Sequence, residues 1–208
     1  MKKLLVIGEN SRLYKKYRHA LEGAFSFQAI SHKDIIGGDW SALHFDVVLI
    51  LSTSSRIKGL SDLYNNVKDN ISAHNFVLLS SHVVQLGNDF DWYEYVRVKK
   101  LGELEFRVVF PFGIIVRGGE FSDDILLPPV SSSFYNLLDV LASLSDSPDF
   151  TIDLPVAIND KYTPHKLYKY IFRLGWYRFC RVPDAVYRAL GYKNYGYTFG
   201  LFKFFSEK

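Results

Sequence analysis

An apolar run ends in Ser80-Ser81, and downstream of it stand Tyr95 and Lys99, spaced Tyr-x-x-x-Lys. A hydroxyl, a phenol and an ammonium gathered at one place can pass a proton to or from an oxygen. A free tyrosine has a pKa near 10, too high for a base at neutral pH. A neighbouring ammonium favours the phenolate and lowers that value. The i,i+4 spacing sets Tyr95 and Lys99 on one face of a helix. The pattern alone is weak, because it occurs at Tyr64/Lys68, Tyr95/Lys99 and Tyr162/Lys166, where roughly one match is expected by chance. The middle pair differs in having a serine-ended strand before it and a predicted strand after it.

The elements that must position these groups read as alternating strands and helices. Short apolar runs at Leu4–Ile7, Phe25–Ile30, Asp46–Leu51 and Asn75–Ser80 predict strands, and Phe106–Phe110 predicts a fifth. Ser11–Leu21 carries Leu13, Tyr17 and Leu21 on one helical face, and Asp62–Ser72 reads as a short helix. Asp89–Leu104 predicts a helix opened by Asp91-x-x-Glu94, a capping-box pattern. Such alternation predicts an α/β fold, a Rossmann-like, doubly wound, mostly parallel sheet. Ligands on such sheets bind beyond the carboxyl ends of the strands. Gly8, Ser52 and Ser81 fall at those ends and are expected to share one crevice. After Phe110, Pro111, Gly113, Gly118, Gly119, Pro128 and Pro129 break the pattern. The boundary is set near residue 115, giving a core of 1–115 and a small, mainly helical lobe of 116–208, in which Phe134–Leu144 reads as helix.

Composition narrows the function classes. The net charge of +3 is too small to indicate nucleic acid. A single cysteine, Cys180, excludes an internal disulfide and a cysteine-cluster metal site, and the six histidines lack ligand spacing. The four-residue apolar run Leu4–Ile7 is too short for a signal peptide, and no stretch reaches the roughly 18 apolar residues of a membrane span. A cytoplasmic protein is the expectation.

Four segments resemble the extended short-chain dehydrogenase/reductases, the nucleoside-diphosphate-sugar epimerases, dehydratases and 4-keto reductases. They are VIGENSRLYKKY from Val6, DVVLILST from Asp46, SSHVV from Ser80, and YVRVK followed by VVFPFGIIV. The resemblance spans roughly residues 3–117. It implies that Tyr95 is the acid/base, that Ser81 holds the reacting oxygen, and that Lys99 tunes Tyr95 and holds the nicotinamide ribose. It further implies a dinucleotide seated on Gly8, Asn10, Ser11, Arg12, Leu13, Lys33, Ser52, Thr53, Lys99 and Pro111. Lys33 and Arg12 favour NADP over NAD, since a base suits a 2′-phosphate; Asp34, one residue on, leaves this open. The implied substrate is a nucleotide sugar, in surface polysaccharide synthesis, and by analogy the chain is a homodimer.

The sequence also departs from that family. Its Gly-x-x-Gly-x-x-Gly turn keeps Gly8, but Ser11 and Tyr14 replace the other two glycines. The second allows backbone to approach a pyrophosphate and the third allows helix and strand to pack closely. Tyr14 is expected to push the helix off the sheet or to point sideways. Phe110 stands where the family has an arginine before its proline. Residues 165–181, HKLYKYIFRLGWYRFCR, form a basic aromatic segment without an acid. It suits a lobe helix whose basic stems cover the core, a peripheral contact with an anionic membrane, or a diphosphate. The competing class is a non-catalytic relative that kept the sheet and serves as a binding or scaffold subunit, and fold alone leaves room for an enzyme without a nicotinamide.

Overall fold

A computed structural model describes residues 1–40, 42–51, 57–85, 94–118, 120–121, 130–144, 151–154 and 157–158. The chain runs β1 (Lys3–Ile7), α1 (Arg12–Ala24), β2 (Ser26–Ile30), α2 (Asp34–Gly37), β3 (His44–Ile50), α3 (Ile57–Asn70) and β4 (Ser72–Ser81). A short 3₁₀ turn, His82–Gln85, follows β4. Then come α4 (Glu94–Val109), β5 (Ile114–Gly118), β6 (Glu120–Phe121), β7 (Val130–Ser132), α5 (Phe134–Ser143), β8 (Thr151–Asp153) and β9 (Ala157–Ile158).

Six strands form one parallel sheet in the order β2-β1-β3-β4-β5-β8. Parallel strands covered on both faces are apolar throughout rather than alternating. Leu4, Leu5, Val6 and Ile7 are all fully buried for this reason. Alternate residues then serve opposite layers. Leu5, Ile7, Val48, Ile50, Leu78 and Ile115 pack with α2, α3 and α4. Leu4, Val6, Val47, Leu49, Val77, Leu79 and Val116 pack with α1 and α5. α5 is fixed to α1 by Tyr17 stacked on Phe134, ring centroids 4.1 Å apart. The sheet continues past residue 115, because β8 pairs with β5 through Ile115–Thr151, Val116–Ile152 and Arg117–Asp153. β6, β7 and β9 make a separate three-stranded sheet.

The four early strands stand where the apolar runs place them, within a few residues. The expected fifth strand does not. Phe106–Val109 ends α4, and the Phe110 amide donates to Phe106 O at 2.8 Å. Phe106, Val109 and Phe110 lie on its buried side, a 3-4 spacing that a short apolar run hides. The strand comes after the Pro111-Phe112 turn, at Ile114–Gly118. Gly113 makes that turn fit, since a Cβ there would lie 2.6 Å from the Phe106 ring. Residues 165–181 lie outside the described residues.

Candidate functional site

All six strands point the same way, so their carboxyl ends form one edge. β1 has β2 on one side and β3 on the other. The chain reverses direction across the sheet there, and a doubly wound sheet opens its crevice at that point. Gly8 follows β1 with φ 119°, a conformation open to glycine and strained for other residues. Ser11 closes the turn: its amide donates to Gly8 O at 2.9 Å, and its hydroxyl accepts the Tyr14 amide at 3.1 Å. Ser11 is therefore the N-cap of α1, the residue type that best satisfies a first-turn amide. Asn10 and Arg12 are exposed at this helix start. Leu13 is turned to the core, packed on the α1 side of the sheet.

Tyr14 resolves the question its size raises. Its ring meets Phe27 of β2 edge-on, centroids 6.3 Å apart. The side chain is thus directed sideways to the outer strand. The Gly8 and Glu9 amides both donate to Ile30 O, at 2.9 and 3.2 Å, so the turn is tied to β2. At the tip of β2, the Asp34 carboxylate accepts the Ser31 amide at 3.0 Å. Hydrogen bonds from Ser31 hold the Asp34 carboxyl below the usual carboxylate range. Lys33 is exposed beside it.

The second half of the edge is built by β4 and α4. Ser81 ends β4, opposite Gly118 of β5. By the strand's alternation it shares the side of Val77 and Leu79, the α1 and α5 layer. Ser80 has the parity of Leu78 and faces the layer that contains α4. It is 5% exposed, and its hydroxyl has no hydrogen-bond partner among the described residues. Tyr95 falls in the first turn of α4, and its side chain lies outside the described residues. Lys99 follows one turn later and is half-buried. Burial pulls its ammonium down to about 8, against the opposing charge of Glu103.

Two charged residues that the sequence pattern did not single out complete this cluster. Glu103, one turn beyond Lys99, is 8% exposed. Arg117 of β5 grips it with two bonds, Nε to Oε1 at 3.0 Å and Nη2 to Oε2 at 2.6 Å. Arg117 also lies 3.9 Å from Asp153 Oδ1 on β8. Asp153 accepts Gln85 Nε2 at 3.0 Å, and the His82 ring meets Leu154 O at 3.1 Å. The signal for Glu103 was present as the next i,i+4 step after Tyr95 and Lys99. Arg117 was hidden because the strand carrying it was placed too early.

The expected dinucleotide residues divide accordingly. Gly8, Asn10, Ser11, Arg12, Leu13, Lys33 and Ser81 all lie toward the carboxyl edge. Pro111 does not: it stands in the turn before β5, at the opposite end of the sheet, because Phe106–Val109 is helix. Ser52 and Thr53 lie outside the described residues. Tyr64, of the first Tyr-x-x-x-Lys match, is a core residue, fully buried and edge-on to Phe106. No group of three potential metal-ligating side chains occurs among the described residues. None of the described helices is long and apolar enough to cross a membrane.

No family model matches the sequence, and no curated protein matches it. Solved structures do. A short-chain dehydrogenase/reductase from Veillonella parvula superposes with TM-score 0.54 at 10% identity, over 78% of this chain and 98% of that one. The capsular polysaccharide assembling protein CapF from Staphylococcus aureus gives 0.53 at 12% identity, over 80% of this chain and 58% of that one. dTDP-4-dehydrorhamnose reductase from Bacillus anthracis, solved in complex with NADP, gives 0.50 at 10% identity, over 74% and 75%. This chain spans little more than half the length of CapF. At these identities the likeness is one of fold, and this chain has the Rossmann-like α/β fold found in short-chain dehydrogenase/reductases and their nucleotide-sugar relatives.

Proposed function

We propose that this protein is an NAD(P)-dependent reductase or epimerase of the short-chain type, acting on a nucleotide sugar in surface polysaccharide synthesis. The observation that carries the reading is a coincidence on one edge. The capped start of α1 and the Tyr95–Lys99 half of α4 both belong to the carboxyl edge of the same parallel sheet. A helix start offers amide hydrogens and a positive dipole end to a phosphate. Gly8, Asn10, Ser11, Arg12, Leu13 and Lys33 would hold the dinucleotide, with Ser52 and Thr53 as the β3 contribution. Arg12 and Lys33 favour NADP, while Asp34, exposed and held ionised by Ser31 at the tip of β2, leaves NAD open. When bound, the nicotinamide supplies or takes the hydride. Tyr95 gives or takes the proton on the sugar oxygen, Lys99 favours its phenolate, and the orienting hydroxyl comes from the Ser80-Ser81 strand end: Ser81 as the resemblance implies, with Ser80 the one on the α4 side. The segments after residue 118 that lie outside α5 and β8 contribute the sugar lobe. A cytoplasmic homodimer completes the reading.

The second reading, a scaffold or binding subunit, is favoured by one observation. The Gly8 and Glu9 amides are already engaged by Ile30 O, and Tyr14 fills the place of a glycine. Titration with NADPH and NADH separates the two, followed by energy transfer from the three tryptophans. Saturable binding, tighter for NADPH, is the expected result. No binding up to millimolar dinucleotide rejects the enzyme reading.

A further inference from the structure

Glu103 has no surface role. It is a carboxylate packed between α4 and the sheet, with both oxygens taken by one guanidinium. Two charges withdrawn from water rarely stabilise a fold more than apolar residues of the same size would. Such a pair calls for a reason, and its surroundings supply one. Glu103 sits one helical turn from Lys99, and its charge acts on the Lys99 ammonium. It acts also on Arg107 of its own helix and on Tyr64 of α3. The clamp is itself anchored: Arg117 belongs to β5 and lies near Asp153 of β8, which holds Gln85 after β4. Two strands and the turn after β4 thus fix where the Glu103 carboxylate stands.

We propose that Glu103, clamped by Arg117, is a positioning residue that keeps Lys99 charged and set in place at the candidate site. The inference rests on the enzyme reading for its purpose, since an uncharged Lys99 could not favour a Tyr95 phenolate. Glu103 and Arg117 then act through Lys99 and need touch no substrate.

The test reads Lys99 directly. The purified protein is labelled with an amine-selective reagent across about pH 6 to 11, and the Lys99 peptide is quantified by mass spectrometry. Glu103→Gln should move the Lys99 titration to lower pH and raise its labelling near neutrality, about tenfold for each pH unit that the midpoint falls. Glu103→Asp should restore most of the wild-type profile. Glu103→Met with Arg117→Met removes both charges while keeping volume, a change that buried pairs tolerate. Its Lys99 labelling should also exceed wild type. A Lys99 profile unchanged in Glu103→Gln overturns the proposal. So does a double variant that returns to the wild-type profile, because the stranded Arg117 would then explain the single variant. The labelling needs no cofactor. Absence of NADPH binding in the wild-type protein would reject the enzyme reading while leaving this readout intact.

Discussion

Arg117 holds Glu103 through two hydrogen bonds, at 3.0 and 2.6 Å, and so locks α4 to β5. Removing one partner of a buried pair leaves the other charge uncompensated. Arg117→Ala should therefore cost about 3–5 kcal/mol of folding stability. Urea unfolding followed by far-ultraviolet circular dichroism measures it. A loss under about 1 kcal/mol would mean that the pair behaves as an exposed one.

Lys99 gives the fold a pH dependence of defined sign. Its folded value, about 8, lies below the ordinary lysine value of 10.5. Between those values the unfolded chain binds more protons than the folded one, so stability rises with pH. Tyr64 acts the other way above pH 10, because burial raises its phenol and the unfolded chain loses that proton first. The rise should thus appear between pH 8 and 10 and be absent in Lys99→Met. Thermal midpoints across that window check it.

Gly8 adopts φ 119°. Gly8→Ala should destabilise by about 1–3 kcal/mol, the range for a strained backbone position. The same variant should weaken dinucleotide binding, since the turn that seats α1 would shift. Thermal unfolding and the NADPH titration read the two effects separately.

Phe134 is 2% exposed and stacks on Tyr17. Phe134→Ala should cost about 3–5 kcal/mol, the range for emptying a large buried site. A small loss would mean that α5 contributes little to the core formed with α1.

Tyr95→Phe removes one oxygen. If Tyr95 moves the proton, turnover should fall by about two to four orders of magnitude. The thermal midpoint should stay within a degree or two. Activity retained with a large loss of stability would make Tyr95 a packing residue.

The parallel sheet was legible because buried strands such as Leu4–Ile7 and Val47–Ile50 are apolar without interruption. The start of α1 was legible as a turn, though not what Ser11 does there: its hydroxyl caps the helix rather than standing free for a phosphate. Period failed at FRVVF, residues 106–110, where five residues satisfy a strand and a helix end equally well. That error displaced β5, hid Arg117 and carried Pro111 to the wrong end of the sheet. Glu103 was missed because exposed and buried glutamates look alike in sequence. Which of Ser80 and Ser81 faces α4 follows from strand parity, and parity is fixed only when Leu78 and Leu79 are seen to serve different layers.

β1 has a consequence for how the chain assembles. Its two partners, β2 and β3, lie on opposite flanks. A nascent chain can pair β1 with β2 early, but the other flank stays bare until the chain has passed Ile50. Until then four apolar residues, Leu4 to Ile7, present an unpaired, aggregation-prone edge. The second flank of β1 can therefore be covered only once β3 has been made, and a pause in synthesis before that point would expose the edge for longest.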